Sequence, residues 1–257
     1  MTHRIRFFWL LAIALAFVPR AALAAFHIME VEQVIGGVGS DPNAQAVTLR
    51  MRALNQNQVI GFAQVVVRDA AGLNPVTLST FTGGSTPADP NSCKSILLAT
   101  PGMAGKTTGG FAPDFPMQPI PVGYKAAGSL TFESAGGGTT WWRVSWGGAS
   151  YTGANTVLAG TNDTDGNTAP PFAGPLPSTG VQALKFSPGC GTLSVSNATD
   201  YAAISTGVSL VKNSGATFAV QDLLPVPALP GAAQFLLPAL LGLGLFAFAV
   251  RRRRGVT

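Results

Sequence analysis

The chain has 257 residues, 47% hydrophobic and only 11% charged, with a formal net charge of +5. The positive excess is confined to the ends: residues 25–222 carry nine Lys or Arg, scattered from Arg50 to Lys212, against eleven Asp or Glu, a balance of −2. Without a basic cluster or stripe there, nucleic acid is excluded as a partner, and about 200 residues suffice for one all-β domain or two small ones.

The N-terminus reads as a removable export signal. Arg4 and Arg6 make a charged start, Phe7 to Val18 an apolar stretch, and Ala22-Leu23-Ala24 a small-x-small cleavage site. Cleavage is expected after Ala24, so residues 1–24 are the signal peptide. The apolar stretch is too short for a comfortable membrane span.

Residues 25–222 then read as an all-β exported domain. In "HIMEVEQVI", alternation points Met29, Val31 and Ile35 inward and Ile28, Glu30 and Glu32 outward. In "AVTLRMRA", Val47, Leu49, Met51 and Ala53 face one way, and Thr48, Arg50 and Arg52 the other, as in a half-buried strand. The acidic and basic outer rows suit these two strands as neighbours. "GFAQVVVRD", "SLTFES", "TWWRVSW", "VQALKFS", "TGVSLV" and "ATFAVQ" are the further expected strands. Gly-rich turns such as "GGVGSDPNA" and "SAGGG" separate short strands, which predicts a sandwich or jelly roll.

Between these strands lie the residues that carry chemistry. Cys93 and Cys190 both fall in the exported part. In an oxidising compartment they are expected to pair, the alternative being two free thiols. Neither belongs to a CxxC, which removes a zinc or redox site. Pro101 to Gly123 is dense in proline and glycine and reads as a long connection or extended segment across one sheet edge; a domain boundary there is the alternative. Along "TWWRVSW", Trp142, Val144 and Trp146 are expected on the core side. Trp141 then shares the outer row with Arg143, near Tyr151, where an aromatic could stack on a sugar ring; the alternative is a second layer over Trp141. "TNDTDGNT" gathers Asn162, Asp163, Asp165 and Asn167 around Gly166, an oxygen-rich turn that suits Ca²⁺ or is simply an Asx-type hairpin turn. No other cofactor is expected. Leu176 to Gly180 spell the sortase pattern LPxTG, but they stand about fifty residues ahead of the hydrophobic span where sortase needs its motif, and they read as a turn.

The C-terminal part is a Pro-rich stalk at 223–230, an apolar run at 231–250 and a basic tail at 251–257. The run has one strongly polar side chain, Gln234, and its twenty residues cover roughly the 30 Å of a bilayer core. The arginines stay cytoplasmic, so the β domain is expected outside. Val226-Pro227-Ala228-Leu229-Pro230, the span, and Arg251, Arg252, Arg253 and Arg254 together resemble the PEP-CTERM class of sorting signals. The resemblance covers about thirty residues and departs from the family, which has Glu between two prolines where this chain has Ala228-Leu229. It implies handling by an exosortase-type processing enzyme and sorting to the surface of a bacterium that makes extracellular polysaccharide. An ordinary single-pass anchor is the alternative. The start of the β domain also resembles lamin-tail-type immunoglobulin folds, through "IMEV", a glycine turn and "AVTLRM".

Catalytic signatures are not found. The two histidines are His3 and His27, neither placed for a Ser-His-Asp triad, and there is no GxSxG elbow or complete phosphate loop. The expectation is a non-enzymatic surface or envelope protein with a structural or adhesive role, or a glycan- or calcium-binding module on the same anchor.

Overall fold

A computed structural model describes residues 27–82, 88–153 and 169–222. The expected signal peptide, the candidate calcium turn, the expected sorting motif and the apolar run all lie outside these residues. Among the described residues no helix is long and apolar enough to cross a membrane.

The fold is all-β. In chain order the strands are β1 (Met29–Ile35), β2 (Ala46–Met51), β3 (Ala63–Arg68), β4 (Val76–Ser79), β5 (Ser95–Ala99), β6 (Phe115–Pro116), β7 (Gly128–Ser134), β8 (Thr140–Trp146), β9 (Ala183–Phe186), β10 (Tyr201–Ile204), β11 (Ser209–Val211) and β12 (Thr217–Ala219). A single helical turn, α1 (Asn197–Asp200), leads into β10. One sheet has the order β10-β9-β1-β2-β5-β6 and the other β4-β3-β7-β8, with β11 and β12 as a separate hairpin. The chain makes a strand pair in one sheet and then crosses to the other, five pairs in succession. All are antiparallel except β5 with β6.

The two sheets close on one apolar layer. Met29, Val31, Val47, Leu49, Met51, Ile96, Leu98, Leu184 and Phe186 meet Val65, Val67, Leu130, Phe132, Trp142, Val144 and Trp146. A second, smaller cluster lies on the other face of the six-stranded sheet: Ile35, Ala46, Leu97, Ala99 and Ala183 are covered by Leu210 and Phe218 of the β11–β12 hairpin. The six-stranded sheet is thus apolar on both faces over part of its area.

Strand β1 departs from plain alternation. Its register with β2 runs Glu30↔Arg50 and Val31↔Leu49, then Gln33↔Thr48 and Val34↔Val47, so Glu32 is an extra residue. This bulge shifts the parity of the rest of the strand. Val34, not Ile35, joins Met29 and Val31 in the main core, and Ile35 turns to the second cluster. The acidic and basic strands are neighbours as their charges suggested.

The Pro-rich connection ties the two sheets at one edge. Met117 N donates to Ala99 O of β5, and the next residue, Gln118, donates through its N to Leu78 O of β4. Strands before and after this connection share the main core.

Cys93 and Cys190 form a disulfide, with Cα atoms 5.6 Å apart. It joins the β4–β5 connection to the β9–β10 connection. Asn55 N donates to Pro90 O and Ala135 N to Phe62 O, so four connections are bound together at this end of the sandwich. The described chain leaves at the opposite end, where Lys106 pairs with Asp222 at 3.3 Å.

Candidate functional site

The segment at 172–180, which includes the LPSTG letters, is strapped onto the end of the sandwich where the chain leaves. Gly36 N donates to Pro177 O at 2.8 Å, Leu176 N to Lys125 O at 2.9 Å, and Gly39 N to Gly180 O at 2.9 Å. The approach is so close that a Cβ at Gly37 would meet Ser178 O at 2.6 Å, which is why the sequence after β1 is "GGVGS". Leu176 and Pro177 are buried. The LPSTG letters therefore form a bound, irregular loop, as a turn reading requires.

A cleft of about 370 Å³ opens beside this strap. Lys125, Phe172, Leu176, Ser178, Thr179 and Gln182 contribute to its wall. Lys125 is only 7% exposed, and its Nζ donates to Pro42 O at 2.8 Å. Burial pulls the Lys125 ammonium below the usual lysine range, while Asp41 pulls the other way. No sequence signal marks the Lys125 cleft. It is assembled from three separated segments, and a lone lysine in "PVGYKAAG" gives no local pattern.

A second polar cluster lies on the outer face of the six-stranded sheet, near the disulfide. Glu30 is fully buried there, and Arg50 Nε donates to its Oε1. Arg50 also reaches Glu32 Oε1 at 3.4 Å and Pro188 O at 3.1 Å, and Ser95 Oγ donates to Glu32 Oε2 at 3.0 Å. Oε2 of Glu30 has no hydrogen-bond partner among the described residues. Burial outweighs the attraction of Arg50 and pushes the Glu30 carboxyl up to about 7. The arrangement tethers the disulfide loop to the sheet through the Pro188 carbonyl.

The expected aromatic face is divided. Phe132 pairs with Trp142 and Glu133 with Thr140, so Trp141 is the extra residue of a bulge in β8. Its ring centroid stands 5.2 Å from that of Phe132, and Trp141 packs, partly buried, against the main core. Arg143 lies opposite Thr131 on the outer face of the four-stranded sheet. There Arg68, Thr131 and Glu133 form a polar row, with Arg68 Nη1 at 2.7 Å from Thr131 Oγ1 and 3.0 Å from Glu133 Oε2. Tyr151 is buried, with its hydroxyl over Gly153 and close to Gly72, at the other end of the sandwich from Trp141. Trp142, Val144 and Trp146 are core residues, as expected. Asn162, Asp163, Asp165 and Asn167, and Val226, Pro227, Pro230 and Arg251 to Arg254, lie outside the described residues. Among the described residues no group of three His, Cys, Asp or Glu is arranged to hold a metal.

No family model, curated protein or solved structure matches the chain.

Proposed function

We propose that this is an exported envelope protein, anchored or sorted through its C-terminal segment, whose β body has a structural or adhesive role alongside extracellular polysaccharide. The observation that carries the reading is the Cys93–Cys190 disulfide. Such bonds persist in oxidising compartments and are rare in the cytosol. The charged and apolar stretch at 1–24 and the apolar run at 231–250 with Arg251 to Arg254 support the same placement from the sequence side. In this reading the membrane and an exosortase-type enzyme are the chain's first partners, and the body does no catalysis. A saccharide-binding module on the same anchor is favoured by one observation, the cleft at Lys125, whose mostly apolar wall carries a few polar side chains.

Protease shaving of intact cells tests the placement: loss of peptides from 25–222 is expected, and full protection overturns it. Mass spectrometry of the mature protein separates the two fates of the tail. An intact Arg251–Arg254 terminus means a retained anchor; an end near Pro227 means processing.

A further inference from the structure

Lys125 is costly where it stands. A buried ammonium loses its hydration and is tolerated when a carboxylate or several acceptors replace the water. Here one backbone carbonyl, that of Pro42, is its hydrogen-bond acceptor. No carboxylate stands within ion-pair distance of it among the described residues; Asp41 attracts it from further away. A methionine or leucine would fill the same space without that cost. The rest of the cleft wall is also chemically open. The side chains of Ser178, Thr179 and Gln182 make no hydrogen bond to the described residues, and each is at least partly exposed. Phe172, with Pro175 and Pro177, gives the wall flat apolar surfaces.

These groups define a ligand by its chemistry. A cation held at low hydration asks for an anion, and its compact ammonium suits a carboxylate. Two hydroxyls and an amide ask for hydroxyl partners. Ring and pyrrolidine faces suit the C–H face of a pyranose. The volume, about 370 Å³, falls within the range of small-molecule sites, and apolar walls with a few polar side chains among them are typical of such sites. We propose that the Lys125 cleft binds a carboxylate-bearing saccharide, a uronic acid residue of a larger glycan, with Lys125 on the carboxylate and Ser178, Thr179 and Gln182 on the ring hydroxyls. On this view the ligand completes an ion pair that the described residues leave open.

The proposal rests on the exported reading only in needing the cleft to meet saccharide outside the cell. Its test is therefore a binding measurement, separate from shaving. The full-length protein in detergent micelles is titrated, with saturation-transfer NMR, against trimers of galacturonate, glucuronate and mannuronate, and against a galacturonate trimer whose carboxylates have been reduced. At least one acidic trimer is expected to bind, weakening as salt rises, and the reduced trimer to bind about tenfold less well. Lys125→Met is expected to lose about tenfold in affinity while melting at the same temperature as the parent or higher. Gln182→Ala is expected to lose affinity about threefold, and it alters an edge of the cleft rather than a buried charge. Binding of none of the three acidic trimers overturns the proposal, and so does equal affinity for the reduced trimer. Parent-like affinity in Lys125→Met does the same. If Lys125→Met does not fold, parent-like affinity in a Ser178→Ala, Gln182→Ala double variant overturns it instead. Loss of surface exposure in the shaving experiment would leave all these outcomes unchanged.

Discussion

The hydroxyl of Tyr201 joins the two sheets. Trp142 of the four-stranded sheet donates its Nε1–H to Tyr201 Oη at 2.8 Å, and that hydroxyl donates to Val31 O, beside the bulge of β1, at 2.6 Å. Burial holds the hydroxyl well above the usual tyrosine range, so it stays a donor. Tyr201→Phe keeps the ring but strands one donor and one acceptor in the core. A loss of roughly 2–3 kcal/mol is expected in urea unfolding; a loss below about 0.5 kcal/mol would mean that water replaces the hydroxyl. Glu30 makes a second prediction, with a definite sign. Its folded pKa is about 7 against an ordinary 4.5. Between those values the folded state keeps a proton that the unfolded state has released. Its contribution to stability is therefore full below about pH 4.5 and is lost as pH rises through about 7. Melting temperature should fall between pH 5 and pH 8, and Glu30→Gln should flatten that fall. Circular dichroism melts at each pH decide the matter: parallel slopes in the two proteins would assign the pH dependence elsewhere.

Among the strands, legibility follows burial. β2 reads clearly because Val47, Leu49 and Met51 go to the core while Arg50 keeps a polar row. β5, "SILLA", does not read as a strand: Ile96 and Leu98 face the main core, Leu97 and Ala99 the second cluster. A strand buried on both faces loses its alternation. The bulges in β1 and β8 were equally hidden. One extra residue at Glu32 or Trp141 changes no local composition, yet it moves Ile35 to the other face and turns Trp141 onto Phe132. Of the polar groups now seen together, Glu30, Arg50 and the two cysteines could be foreseen, the first two from facing charges and the last from compartment. The link that the disulfide makes is between two connections, and its 97-residue separation sets its worth. Loop-closure entropy predicts that Cys93→Ala with Cys190→Ala lowers stability by roughly 4–5 kcal/mol. Guanidinium unfolding of the double variant checks this. A loss under about 1 kcal/mol would show that the main-chain bonds Asn55–Pro90 and Ala135–Phe62 already hold that end.

For the molecule as a whole, the question is whether the Pro-rich connection separates two folding units or binds one. Composition alone permits a boundary between Pro101 and Gly123, because proline and glycine are dense in linkers as well as in ordered connections. The geometry argues for binding. Phe115, Met117 and Ile120 are buried in the main core. Gln45 fixes Ile120 from both sides, accepting from its N at 2.6 Å and donating to its carbonyl at 3.3 Å. Neither sheet can shed its partner without exposing the shared layer of Trp142, Trp146, Phe132 and Phe186. At roughly 25 cal/mol per Å² of apolar surface, exposing four such aromatics costs many times the energy of any single contact here. The β body should therefore unfold in one cooperative step. Near-ultraviolet dichroism, dominated by the buried tryptophans, and far-ultraviolet dichroism, which reports strands, should give coincident transitions on heating. Gln45→Ala should shift both curves together, by an amount set by the unpaired Ile120 backbone, about 1–3 kcal/mol. If the two probes separate in the parent or the variant, the segment is a hinge between two units, and the sandwich is held by something weaker than its common core.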